Sequence, residues 1–196
     1  MRYNENIEKP PRDDNAAKGV YTMKLYLKQK VFSWKDKSTI KDENGDDKYF
    51  VEGKVLSVGK KLTVFDTNQN EVAFIRQKVA TIMPKFFVEI NGNQVAQIVK
   101  KFSLLKPKYV VEGPGWSIQG NFTAHDYSIN DGEKEIAVIH KQWMTWGDTF
   151  EIDIADEKDE IIVLGVVLAI DAVMDDAESA AAGGIAGGAI SASSNH

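Results

Sequence analysis

Near the C-terminal end, ten consecutive residues, Ile161-Ile-Val-Leu-Gly-Val-Val-Leu-Ala-Ile170, carry no polar side chain. A helix built from them has no face to turn to water, so it must be buried on all sides. The run is far shorter than the roughly twenty apolar residues that a membrane-spanning helix needs. Asp159 and Glu160 stand directly before it, an N-cap candidate and a charge that suits the positive end of a helix dipole. The spacing therefore predicts a helix over about 159–174, enclosed by the rest of the protein. The abundance of β-branched residues leaves a buried strand as the competing reading.

What surrounds this run reads as β-structure. Short segments rich in Val, Ile, Phe, Tyr and Thr recur between turn signals. The expected strands are 24–34, 48–51, 54–58, 62–66, 71–77, 85–90, 94–100, 108–112, 115–118, 122–127, 134–140 and 149–154. Asn44-Gly45 and Asn91-Gly92 suit two-residue hairpin turns, and Asn68-Gln69-Asn70 and Asn130-Asp131-Gly132 mark further turns. About twelve strands exceed what one flat sheet holds without curling. The expected fold is mainly β, a closed antiparallel barrel of about twelve strands with the apolar helix through its centre.

An internal repeat supports two pseudo-repeats. Val51-Glu52-Gly53 recurs as Val111-Glu112-Gly113, and the offset of 60 continues through Ser57/Ser117, Thr63/Thr123 and Asp66/Asp126. After a four-residue insertion the offset is 64: Glu71-Val-Ala-Phe-Ile75 matches Glu135-Ile-Ala-Val-Ile139, followed by Thr81/Thr145, Phe86/Phe150 and Ile90/Ile154.

Three segments follow: an N-terminal extension over 1–22, a barrel over 23–176, and a flexible Ala/Gly/Ser tail over 177–196 that buries too little to offset its ordering entropy. There is no cysteine, which excludes disulfides, thiolate metal sites and cysteine nucleophiles. The first twenty residues are polar and include Pro10-Pro11, unlike a signal peptide, so a cytoplasmic location is expected.

Several stretches resemble the LURP-one-related family, including its bacterial YxjI-like branch. They are Met23-Lys-Leu-Tyr-Leu-Lys-Gln-Lys-Val-Phe32, Tyr49-Phe-Val-Glu-Gly53, Leu62-Thr-Val-Phe-Asp66, Ile75-Arg-Gln-Lys78 and Ala169-Ile-Asp-Ala-Val173. The resemblance covers about residues 23–175. It implies the fold shared with tubby C-terminal domains and phospholipid scramblases, a twelve-stranded barrel threaded by a hydrophobic helix. It implies no enzymatic activity. Tubby domains bind phosphoinositides through Lys and Arg, but their binding motif has no residue-by-residue match in this chain.

Catalytic constellations are missing from the sequence. Its three histidines, His125, His140 and His196, show no HExxH or paired spacing, and no metal or cofactor is expected. Neither a GxSxG elbow nor a phosphate-cradling GxxxxGK[ST] loop occurs. His140 aligns with Arg76 of the first repeat, which favours a structural role. Asp153, Asp156 and Asp159 in the acidic stretch 151–160 are conceivable calcium ligands, yet they lack the spacing of a calcium loop. Asp171 opposes the helix dipole and is expected at the barrel mouth or on strand-end amides. Trp116, Trp143 and Trp146 are read as core.

Charge supplies the remaining signal. Residues 23–110 hold 17 Lys/Arg against 9 Asp/Glu, whereas residues 111–196 hold 3 Lys against 16 Asp/Glu. Mutual neutralisation of the two halves is the simpler explanation. If instead Lys100, Lys101, Lys106 and Lys108 converge with Lys60, Lys61, Arg76, Lys78 and Lys85, they form a site for anionic lipid head groups or a membrane surface. The expected function is thus a non-catalytic barrel, cytoplasmic or peripheral at the membrane. The alternative is a protein-interaction scaffold whose acidic second half recruits a partner. Nucleic acid is disfavoured by the net charge of −5 and the absence of a binding motif.

Overall fold

A computed structural model of the protein describes residues 21–28, 37–54, 59–101, 108–121, 124–144 and 147–186. The apolar run is helical: α1 spans Glu160–Ala186. Twelve strands precede it in the chain: β1 Met23–Lys28, β2 Ser38–Lys41, β3 Asp47–Lys54, β4 Lys61–Asp66, β5 Glu71–Gln77, β6 Lys85–Ile90, β7 Asn93–Lys101, β8 Lys108–Glu112, β9 Ser117–Asn121, β10 Asp126–Asp131, β11 Lys134–Met144 and β12 Gly147–Ile154. All ladders are antiparallel, and each strand pairs with its chain neighbours except at two places. β1 closes on β12, pairing Leu25 with Ile152 and Leu27 with Phe150. β8 and β9 form the two edges of the sheet, so the barrel is nearly closed, with its seam there.

Strand alternation sends one set of side chains inward. Leu25, Leu27, Ile40, Val51, Leu62, Val64, Ile75, Val88, Ile98, Ile129, Ile139 and Ile152 are all at most 2% exposed. They enclose Val163, Leu164, Val166, Leu168, Ala169, Ala172 and Val173 of the helix, each without solvent contact. Burial of each Val, Leu or Ile among them is worth about 1.5–3 kcal/mol. Trp116 joins this core, as expected.

The expected strands mostly appear with shifted ends. The segments expected at 115–118 and 122–127 are found as β9 and β10, a few residues further on. Residues 48–51 and the start of 54–58 merge into one strand, β3, while 55–58 lie outside the described residues. β2 has no counterpart among the expectations, because its four residues contribute one buried side chain, Ile40, and leave no alternation to detect. Residues 1–20, 29–36 and 187–196, covering most of the expected extension and part of the tail, also lie outside the described residues. Tyr21 and Thr22 already attach to the barrel: the Thr22 amide donates to the Ile154 carbonyl at 3.0 Å.

The repeat offset of 64 has a geometric meaning. Ala73/Ala137, Ile75/Ile139, Phe86/Phe150 and Val88/Ile152 are all inward core residues, on strands six apart in the barrel, β5 with β11 and β6 with β12. Val51 and Val111, matched at 60, both face the core as well, on β3 and β8.

Polar contacts at three acidic residues fix the helix along its axis. At its start Glu160, 9% exposed, lies 2.8 Å from the Lys48 ammonium. The Tyr49 hydroxyl also bonds Glu160, and its pKa is pushed up, chiefly by burial and then by that carboxylate. Farther along, Asp171 meets the His125 ring at 2.9 Å, and that ring stacks on Phe150 at 3.8 Å. Asp171 therefore takes a side-chain partner instead of strand-end amides. Asp175 pairs with Lys60 at the opposite mouth from Glu160. The capping oxygen before the helix comes from Asp156, which accepts from the Lys158 amide of a 3-10 turn over Glu157–Asp159, one turn earlier than the expected cap Asp159. The helix also runs beyond the expected 174 to Ala186, since alanine favours helix and no breaker stands at the barrel mouth.

Gly165 sets how closely α1 approaches β6. A Cβ at this position would lie 2.5 Å from Val88 Cγ1, the end of a stiff β-branched side chain. Replacing Gly165 by Ala gains about 1 kcal/mol of helix propensity but overpacks the core by about 1–3 kcal/mol. Gly165→Ala should therefore lower unfolding stability in denaturant titrations. The combined Gly165→Ala/Val88→Ala protein should lose less than the sum of the two single changes, because the truncated Val88 makes room for the new methyl.

Candidate functional site

The basic residues gather at one mouth of the barrel. Lys61 opens β4 directly opposite Arg76 near the end of β5. The Lys78 amide donates to the Lys85 carbonyl at 2.9 Å, across the β5–β6 connection. Lys85 opens β6 opposite Val99, and Lys101 ends β7 opposite Lys108, where β8 begins. Lys60, which immediately precedes β4, stands at the same mouth beside Asp175 of the departing helix. Register alone thus brings eight of the nine expected residues to the rim of consecutive strands β4–β8. Of Lys100, Lys101 and Lys108 the structure describes the strand positions; Lys106 lies outside the described residues.

These side chains are not equivalent. Arg76 is committed to the wall: its Nε donates to Glu89 Oε1 at 2.6 Å, and its guanidinium covers the Phe87 ring at 4.4 Å. Lys60 is committed to Asp175. Among the described residues Lys61, Lys78 and Lys85 have no such ion pair. Between the last two runs the loop Val79-Ala80-Thr81-Ile82-Met83-Pro84, in which Ile82 is 99% and Val79 46% exposed. The Thr81 hydroxyl donates to the Met83 carbonyl at 2.9 Å, holding the turn, and Ala80 adopts φ 57°. An almost fully solvated Ile at a loop tip between lysines is the feature that sequence reasoning missed. Its signal was the apolar content of a segment too short for another strand and closed by Pro84.

A second polar constellation lies on the outer wall of the acidic half. Glu151 and Asp153 point outward from β12, between the inward Phe150, Ile152 and Ile154, yet each is 4% exposed. β1 brings Lys24 opposite Asp153, and β11 brings His140 opposite Glu151. The Lys24 ammonium bonds Glu151 and stands 2.9 Å from Asp153 Oδ1. His140 Nε2 stands 2.9 Å from Asp153 Oδ2, and Gln142 Nε2 donates to Glu151. Burial pushes the Asp153 pKa up, but hydrogen bonds from His140 and Lys24 outweigh it and hold the carboxyl below its usual range. The same hydrogen bond to Asp153 raises the His140 pKa. His140 does occupy the structural position of Arg76, though its surroundings are more acidic. Asp156 turns instead to Lys158 at 2.6 Å, so the aspartates of 151–160 do not converge on one ion.

Comparison with known proteins accounts for the architecture. The LURP-one-related family model matches residues 23–171. The uncharacterized protein YxjI of Bacillus subtilis (strain 168) is 33% identical over 159 residues, covering 80% of this chain and 98% of that protein. A solved X-ray structure of an Arabidopsis thaliana protein superposes with a TM-score of 0.53 at 14% identity, over 76% of this chain and 90% of the plant chain. At that identity the likeness speaks for the fold. With the barrel, the enclosed helix and the matched span together, the chain belongs to the LURP-one-related family.

Proposed function

We propose that this protein is a non-catalytic binding domain that docks on anionic membrane surfaces through the mouth from which α1 emerges. The observation that carries the proposal is the solvated Ile82 between Lys78 and Lys85 on a rim lined with further basic positions. Cations near an anionic leaflet contribute about 1 kcal/mol each. An apolar tip inserted at the acyl boundary adds a contribution that salt does not screen. Lys61, Lys78 and Lys85 supply the charge, and Ile82 with Val79 supplies the insertion. Among the described residues no helix is long and apolar enough to cross a membrane, so the association is a docking of the folded barrel. The interior is filled by α1, which directs any ligand to the outside.

Co-sedimentation with phosphatidylcholine vesicles, with and without phosphatidylserine, tests this. Binding should require the anionic lipid and weaken as salt rises through the range where the Debye length shortens to about 8 Å. Lys78→Gln/Lys85→Gln should cut the partition coefficient roughly 30-fold, from about 1 kcal/mol per lysine. Absence of binding to anionic vesicles at low salt sinks the proposal. Separately, Ile82→Asp should abolish the salt-resistant part of the binding while leaving the melting temperature unchanged, because the side chain touches nothing in the core.

A further inference from the structure

The two halves of the barrel can be compared position by position at the offset of 64. Arg76, Phe87 and Glu89 of β5–β6 correspond to His140, Glu151 and Asp153 of β11–β12. In the first half the trio is self-sufficient: a guanidinium bonded to one carboxylate at 2.6 Å and stacked on an aromatic ring. A single acid is present there, and neither partner is a metal ligand. In the second half every member of the trio is one. An imidazole replaces the guanidinium, and a carboxylate stands where the fold accepts an apolar ring.

That exchange is unfavourable unless something compensates it. It lodges two carboxylates side by side on a strand where each is 4% exposed, and removing a charge from water costs several kcal/mol per ion unless it is paired. The compensation in this structure is one ammonium shared by two acids, with His140 and Gln142 bonding one each. The Lys24 ammonium is the cation the two acids share, standing 2.9 Å from Asp153 Oδ1, and the Asp153 side chain is only 6% exposed. Among the described residues, these are the three His, Asp or Glu groups whose ligand atoms all lie within 4.8 Å of one another. A tetrahedral site with ligand bonds near 2.0–2.2 Å needs ligand atoms about 3.4 Å apart, a spacing between the 2.9 Å of the His140–Asp153 contact and the 4.8 Å within which all three groups fall.

We infer that His140, Glu151 and Asp153 form a binding site for a divalent transition-metal ion of the zinc type, for which Lys24 substitutes as counter-charge when no metal is bound. The imidazole nitrogen selects against calcium and magnesium, which take oxygen ligands, and favours zinc, nickel or copper. Gln142, donating to Glu151, orients one ligand from the second layer. The Lys24 side chain is 41% exposed and can swing into solvent when the ion arrives. His140, 36% exposed, leaves the outer side open for a water ligand. The inference is independent of the membrane reading, since β11, β12 and β1 lie across the barrel from β5–β7.

The experiment uses the full chain stripped with chelator and titrated with Zn2+ by calorimetry, and with Co2+ by visible absorption. One equivalent should bind at this site, and Co2+ should give the intense d–d bands of a four-coordinate ion. His140→Gln keeps a hydrogen-bond donor for Asp153 and should weaken Zn2+ binding at least tenfold. Lys24→Met removes the competing ammonium, so its metal-free form should melt lower and its melting temperature should rise further with saturating Zn2+ than that of the unaltered protein. No binding by the unaltered chain overturns the inference. So does binding of equal strength in His140→Gln, which would assign the ion to another histidine. A Lys24→Met protein that Zn2+ stabilises no more than the original overturns it as well.

Discussion

Everything in this fold follows from one burial problem. A helix that is apolar around its whole circumference has to be surrounded, and no single sheet or neighbouring helix surrounds anything. Twelve antiparallel strands curled into a nearly complete cylinder supply the enclosure, each turning its alternate side chains toward α1. The filled interior then decides where chemistry can happen. Inside there are side chains from wall to axis, with Gly165 packed against Val88 as one measure of how little room is left. The charged pairs described lie mostly at the mouths and on the outer wall.

The mouths differ in kind. At the one where α1 begins, charge is consumed by structure: Lys48 and Tyr49 hold Glu160, and Asp156 caps the turn ahead of the helix. At the other, the helix leaves through a basic rim and neutralises only part of it, through Asp175 and Lys60. The segregation of charge along the sequence is therefore converted in two ways. The acidic half folds part of its charge into its own wall, as Glu151 and Asp153 do with Lys24, while the basic half carries lysines out to the strand ends.

The enclosed helix and the strand pattern were legible because both are periodicities over many residues. A ten-residue run without a polar side chain and a recurring alternation of Val, Ile and Phe leave few alternatives. β2 was not legible, since one buried residue in four makes no pattern. The convergence of the lysines was readable only as a condition, because it depends on which strand ends share a mouth, and that is a property of register. His140 illustrates the harder limit. Its alignment with Arg76 identified a wall position, but its company of Glu151 and Asp153 comes from β12 and its counter-charge, Lys24, from β1 at the other end of the barrel sequence. Ile82 lacked any periodic partner, so nothing distinguished it from a core residue until the turn was seen to hold it in solvent.

The order of the elements along the chain has a consequence for how the molecule is made. Most neighbours in the wall are also neighbours in sequence, so hairpins from β2 to β8 and from β9 to β12 can form as soon as they leave the ribosome, at low loop-closure cost. The core filler comes after all of them. Until it is synthesised the wall has an apolar lining and nothing to hold against it, and the β1–β12 ladder must join segments more than a hundred residues apart. Domain completion thus waits for α1, and the barrel wall without its helix is the state most exposed to misassembly.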